Sequence, residues 1–144
     1  MKKTVNISDI IPLIKESLSR GKEVKFRPYG DSMLPTLVGG KDEVTLVSPT
    51  RIKPMDICLY ERKDGVFVLH RLVKIKRDEY LMKGDNQLWI ERGISRENII
   101  AVVKNYNHAG KSIDCQKITY RMKHRLLNKT KIFKRIKRKL KKYL

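Results

Sequence analysis

Between Lys22 and Ile118 apolar residues recur at every second position in short runs, and Gly, Pro, Asn and Asp break up the runs. A chain patterned in this way folds as short, half-buried strands joined by tight turns. Val24, Phe26 and Pro28 alternate with Glu23, Lys25 and Arg27, and short strands follow at 43–47 and 56–60. Lys63-Asp64-Gly65 predicts a hairpin, because Asp-Gly readily takes the positive φ of a tight turn. It joins the strand at 56–61 to a second at 66–75. Arg77-Asp78-Glu79 turns the chain into a strand at 80–83, which ends at Gly84-Asp85-Asn86. A further hairpin is expected between 99–106 and 112–118. The expected fold is mostly β, an antiparallel domain over residues 22–118.

The two ends carry a different period. Residues 1–21 are expected to form a short amphipathic helix, with Ile10, Leu13, Ile14 and Leu18 on one face, Ser8 as its cap and Gly21 as its terminator. Pro12 falls in the first turn, where its missing N–H does least harm. In residues 119–144 the apolar positions Leu126, Phe133, Ile136, Leu140 and Tyr143 recur at helical spacing among Lys and Arg, the pattern of a basic amphipathic helix.

Charge divides the chain in the same place. The 144 residues hold 34 Lys and Arg against 15 Asp and Glu, a formal net charge of +19. Twelve of the basic residues and none of the acidic ones lie in 121–144. This asymmetry predicts an acidic partner for the tail. No apolar run approaches the ~20 residues of a bilayer-spanning helix, and the start lacks the apolar stretch of a secretory signal. Two cysteines, Cys58 and Cys115, are too few for a disulfide scaffold or a four-Cys zinc site. They are expected to be small buried residues in a reducing, cytoplasmic setting. His108 and His124 have no second ligand at metal-binding spacing, and Gly39-Gly40 lacks the context of a phosphate loop.

Three places could carry chemistry. Gly30-Asp31-Ser32-Met33-Leu34-Pro35 follows a strand directly, a setting that can expose a hydroxyl while backbone N–H groups point into the same space. The same residues also suit an ordinary turn. His70 stands in the apolar run Val66–Leu72, where it is either a satisfied structural residue or the base for a serine. Lys83-Gly84-Asp85-Asn86 is either an Asx turn or the source of a carboxylate that orients an imidazole, with Glu91 able to serve instead.

Four ordered blocks join these places: Gly30-x-Ser32-Met33-x-Pro35-Thr36-Leu37, Ile52–Tyr60, Leu69-His70-Arg71-Leu72-Val73 and Lys83-Gly84-Asp85-Asn86. Together they resemble the type I signal peptidase and LexA-like serine peptidase superfamily. The likeness is greatest to the branch of endoplasmic-reticulum and sporulation-type signal peptidases, which uses His in place of a Lys base. The resemblance spans roughly residues 22–106. It implies the coiled, mostly β fold of that superfamily, with Ser32 as nucleophile, His70 as general base, Asp85 as orienting acid and Glu91 as the fallback. It also implies that Met33 borders the pocket for the residue before the cleaved bond, and that the Ser32 N–H donates to the oxyanion. Met55 stands where the family usually has Gly, and the family's transmembrane helix has no counterpart in this sequence.

The function implied is that of a serine endopeptidase cutting a leader or precursor peptide through an acyl-enzyme, with no cofactor. The basic tail would contact an anionic membrane at its cytoplasmic face, and no specific nucleic acid partner is expected. Lys74, two positions along the strand, is expected to share the face of His70 and to compete for the role of base. The alternative is a non-catalytic binding module whose tail contacts nucleic acid or the ribosome.

Overall fold

The computed structural model describes residues 6–142, apart from the side chains of residues 131–133 and 135–137. Its elements are α1 (Ile7–Ser19), β1 (Val24–Phe26), β2 (Glu43–Val47), β3 (Ile57–Glu61), β4 (Phe67–Lys76), β5 (Glu79–Lys83), β6 (Glu91–Ile94), β7 (Ile99–His108), β8 (Lys111–Asp114) and α2 (Ile118–Lys142). The strands form one antiparallel sheet in the order β1-β2-β7-β3-β4-β5-β6, and β8 pairs with β7. The fold is mostly antiparallel β with a helix at each end, as the periodicity predicts.

β3 is the centre of the sheet and is buried on both faces. Ile57 and Leu59 pack with Leu69 of β4 and with Ile11, Ile14 and Leu18 of α1. Cys58 and Tyr60, on the opposite face, pack with Leu72, Met82 and Val102. Each fully buried Leu or Ile contributes about 1.5–3 kcal/mol, so the two clusters hold the strands from both sides. Both cysteines are buried and free, one in each cluster. Burial pushes both thiols up, Cys115 to about 12.

Several local expectations are corrected. Asn6, not Ser8, caps α1, its side chain accepting from Ser8 N at 3.2 Å. The buried face of α1 carries Ile11 in place of Leu13, which points to water. Gly21 ends the helix with φ 73°. The last hairpin strand stops at Asp114, and Ile118 opens α2. β6 was not expected, because Glu91-Arg92-Gly93-Ile94 has no apolar alternation; its pairing with β5 supplies what its side chains lack. Tyr143 lies outside the described residues, as do the side chains of Phe133 and Ile136.

α2 docks through polar side chains. Arg121 donates to Asp56 at 2.6 Å and to the Pro54 carbonyl at 2.6 Å. Asn128 accepts from Lys83 Nζ at 3.3 Å, and Tyr120 Oη lies 3.2 Å from Arg71 Nη2. Met55 has φ 81°, in the left-handed region that favours glycine. Its side chain is nonetheless used, being buried with Sδ 3.5 Å from Asn128 Nδ2. The backbone strain at Met55 is thereby exchanged for a contact with α2.

Candidate active site

The turn after β1 carries Ser32, half-buried, and is stitched to the segment following β5. Asn86 N donates to the Ser32 carbonyl at 2.9 Å, and Asn86 Nδ2 donates to the Asp31 carbonyl at 3.1 Å. The approach requires glycine at 84, where a Cβ would stand 2.6 Å from the Ser32 oxygen. Gly39 plays the same part on the other side, since a Cβ there would overlap the Gly30 backbone. Beside the turn lies a small pocket of about 20 Å³, walled by Tyr29, Ser32, Met33, Leu37 and Leu69. It has room for a group the size of one water or methyl.

His70 sits on β4, paired with Cys58 of β3, and its ring is almost wholly buried. Burial lowers its pKa to about 4, the Glu91 carboxylate pulling weakly the other way, so the imidazole is neutral through the physiological range. Its Nδ1 lies 3.1 Å from Tyr60 Oη, and Tyr60 donates to Glu91 Oε2 at 2.9 Å. Arg62 grips the same carboxylate with two bonds, Nε at 2.6 Å and Nη2 at 2.8 Å. Burial alone would push the Glu91 carboxyl up, but Arg62 and Tyr60 outweigh it and hold it below the usual range.

These bonds dictate the tautomer. The single Tyr60 proton goes to the ionised Glu91, so the Tyr60 oxygen can only accept from His70, and Nδ1 must carry the hydrogen. Nε2 is then the lone-pair nitrogen. This is the arrangement a carboxylate gives an imidazole in a catalytic triad, here passed through a phenol.

Arg71, the next residue of β4, points to the opposite face and is completely buried. It forms a bidentate pair with Asp85, Nε to Oδ1 at 2.9 Å and Nη2 to Oδ2 at 2.8 Å, and donates to the Met55 carbonyl at 2.8 Å. Asp85 Oδ2 also accepts from Thr36 Oγ1 at 2.5 Å. Burial favours the neutral Asp85, but Arg71 and Thr36 prevail and keep its carboxyl below the usual range. Through this carboxylate the Ser32 turn, β4 and the start of α2 are fastened together.

The four sequence blocks therefore converge. Met33 Sδ accepts from Asp85 N at 3.5 Å, and the Ser32 carbonyl accepts from the neighbouring Asn86 N at 2.9 Å. Gly84 follows Lys83, the register partner of Arg71, so the Ser32 turn rests at the end of β5 that runs beside His70. Among the described residues no hydrogen bond joins Ser32 to His70. The carboxylate linked to the imidazole through Tyr60 is Glu91, the fallback, while Asp85 clamps Arg71. Lys74 is removed as a competitor: a bulge between Leu72 and Lys74 inverts the alternation, so Lys74 is exposed on the face away from His70.

Tyr60, Arg62 and Arg71 received no role from the sequence. Arg71 carried a usable signal, a permanent charge inside an apolar strand, which requires a buried partner. Tyr60 and Arg62 carried none, because their partner sits on the unexpected β6.

Compared with known proteins, the chain matches no family model, no curated protein and no solved structure. Among the described residues no helix is long and apolar enough to cross a membrane.

Proposed function

We propose that the chain is a serine endopeptidase in which Ser32 is the nucleophile and His70 the general base, oriented by Tyr60 and Glu91. The observation that carries this reading is the fixed tautomer of a neutral, buried imidazole on the strand beside the Ser32 turn. Ser32 Oγ attacks the scissile carbonyl carbon as His70 Nε2 takes its proton. Glu91, acting through Tyr60, offsets the charge of the imidazolium, and the Ser32 N–H faces the oxyanion. Collapse of the tetrahedral species breaks the C–N bond, and His70 returns the proton to the leaving amine. Water then attacks the ester with His70 again as base, releasing the acid and restoring Ser32. The reaction requires Ser32 Oγ and His70 Nε2 to come within about 2.6–3.2 Å when substrate is bound. The pocket bordered by Met33 has room for only a small side chain before the cleaved bond, so the substrate class is a peptide with Gly or Ala at that position.

A fluorophosphonate probe tests the reading. The wild-type protein should be labelled on the peptide containing Ser32, and a folded Ser32→Ala protein should not. No labelling of the folded wild type would leave the binding-module alternative in its place.

A further inference from the structure

The amphipathic helix α2 is docked with its apolar side outward. Tyr120, Arg121, His124 and Asn128 occupy the inner face, where they meet Arg71, Asp56, Lys83 and Met55. Ile118, Met122 and Leu126, also four residues apart, are 75%, 64% and 64% exposed. Met122 and Leu126 line an open apolar groove whose edges are Lys123, Arg125 and Lys129. Further along the helix, Leu140 is exposed as well. A stripe of large apolar side chains held in water by a polar docking face marks a contact surface.

The occupant must be apolar beneath the stripe and anionic at its flanks, since residues 121–144 hold twelve Lys and Arg and no acid. A second copy of α2 would bring the same positive charge against it. Nucleic acid would satisfy the flanks and leave Ile118, Met122 and Leu126 in water. An anionic bilayer satisfies both, with the stripe at the acyl boundary and the basic residues among the phosphates. We propose that α2 lies flat on an anionic lipid surface through Ile118, Met122 and Leu126. The helix spans 25 residues, about 37 Å at 1.5 Å per residue, long enough for its basic residues to engage several headgroups at once. This surface is independent of the peptidase chemistry, because none of its residues touches Ser32, His70 or Glu91.

Vesicle flotation of the full chain tests it. The protein should float with phosphatidylcholine vesicles containing phosphatidylglycerol, and not with phosphatidylcholine alone, and salt should weaken the binding. Met122→Glu combined with Leu126→Glu alters exposed positions, so circular dichroism should be unchanged while partitioning falls roughly tenfold or more. Replacing Lys123, Arg125 and Lys129 by Gln should weaken binding and flatten its salt dependence. The proposal is overturned if the folded Glu variant floats as well as wild type, which would reduce the tail to a charge contact. It is equally overturned if the wild type ignores anionic vesicles while binding a nucleic acid duplex, or if the Glu variant instead abolishes a dimer seen by sedimentation.

Discussion

His70 and Arg71 are neighbours on β4, and each has one carboxylate on its own side of the sheet. The Arg71–Asp85 pair is fully buried, bidentate and direct. The His70–Glu91 link is indirect: the two lie 3.8 Å apart at Nδ1, and the Tyr60 hydroxyl bonds to both. The first carboxylate neutralises a permanent cation and ties three segments together. The second is half-buried, already neutralised by Arg62, and acts on a ring that stays uncharged until it takes a proton. Strand alternation alone assigns the two jobs, since successive side chains must face opposite ways. Asp85 is therefore bonded to the guanidinium, and Glu91 is linked to the imidazole through Tyr60.

Mutations should separate the two sides. The largest effect is expected at Ser32→Ala, which should lower peptidase activity by roughly 10⁴-fold or more and leave stability nearly unchanged, because a half-exposed turn hydroxyl adds little. Asp85→Ala should act on folding instead. It strands a buried guanidinium and should cost about 3–5 kcal/mol, measured by urea denaturation. Should Asp85→Ala unfold at the wild-type midpoint yet lose its activity, Asp85 and Glu91 would have to exchange roles.

Between pH 6.5 and 4 the pH dependence of stability belongs to the His70 side, whereas the depressed Asp85 carboxyl acts at lower pH. Its folded pKa lies near 4, below the ordinary 6.5, so the unfolded chain takes up the proton first as pH falls. The stabilisation is complete above about 6.5 and is lost between there and 4, amounting to roughly 3 kcal/mol. His70→Gln should flatten the stability curve in that window, and an equal slope in wild type and variant would show that the imidazole titrates normally. Glu91→Gln is expected to cost less in stability than Asp85→Ala, while reducing kcat by roughly 10–100-fold through loss of the tautomer and of the countercharge. Lys74→Ala should change neither quantity measurably, its side chain being exposed on the other face.

The two sides also differ in how far the sequence revealed them. The four blocks contain Ser32, Met33, His70, Arg71 and Asp85, and the hairpin at Asp64-Gly65 sets the β3–β4 register that pairs His70 with Cys58. Glu91 stood in the sequence only as the fallback acid, and its link through Tyr60 was hidden because β6 is polar and is defined only by its pairing with β5. The bulge beside Lys74 had the same effect on parity, since one extra residue reverses every face beyond it while leaving no mark on the apolar pattern. In α2 the periodicity predicted an amphipathic helix but not its orientation. Apolar burial would have turned Met122 and Leu126 inward, whereas the buried charges Asp56 and Arg71 draw Arg121 and Tyr120 instead.

Activation of Ser32 by His70 is tested most directly by the rate of fluorophosphonate labelling in wild type and in His70→Ala at neutral pH, with the labelled peptide identified by mass spectrometry. Label on Ser32 in the wild type, with a rate lowered roughly 10²-fold or more in folded His70→Ala, is the predicted result. Label on another residue, or an equal rate at Ser32 in both proteins, would contradict it.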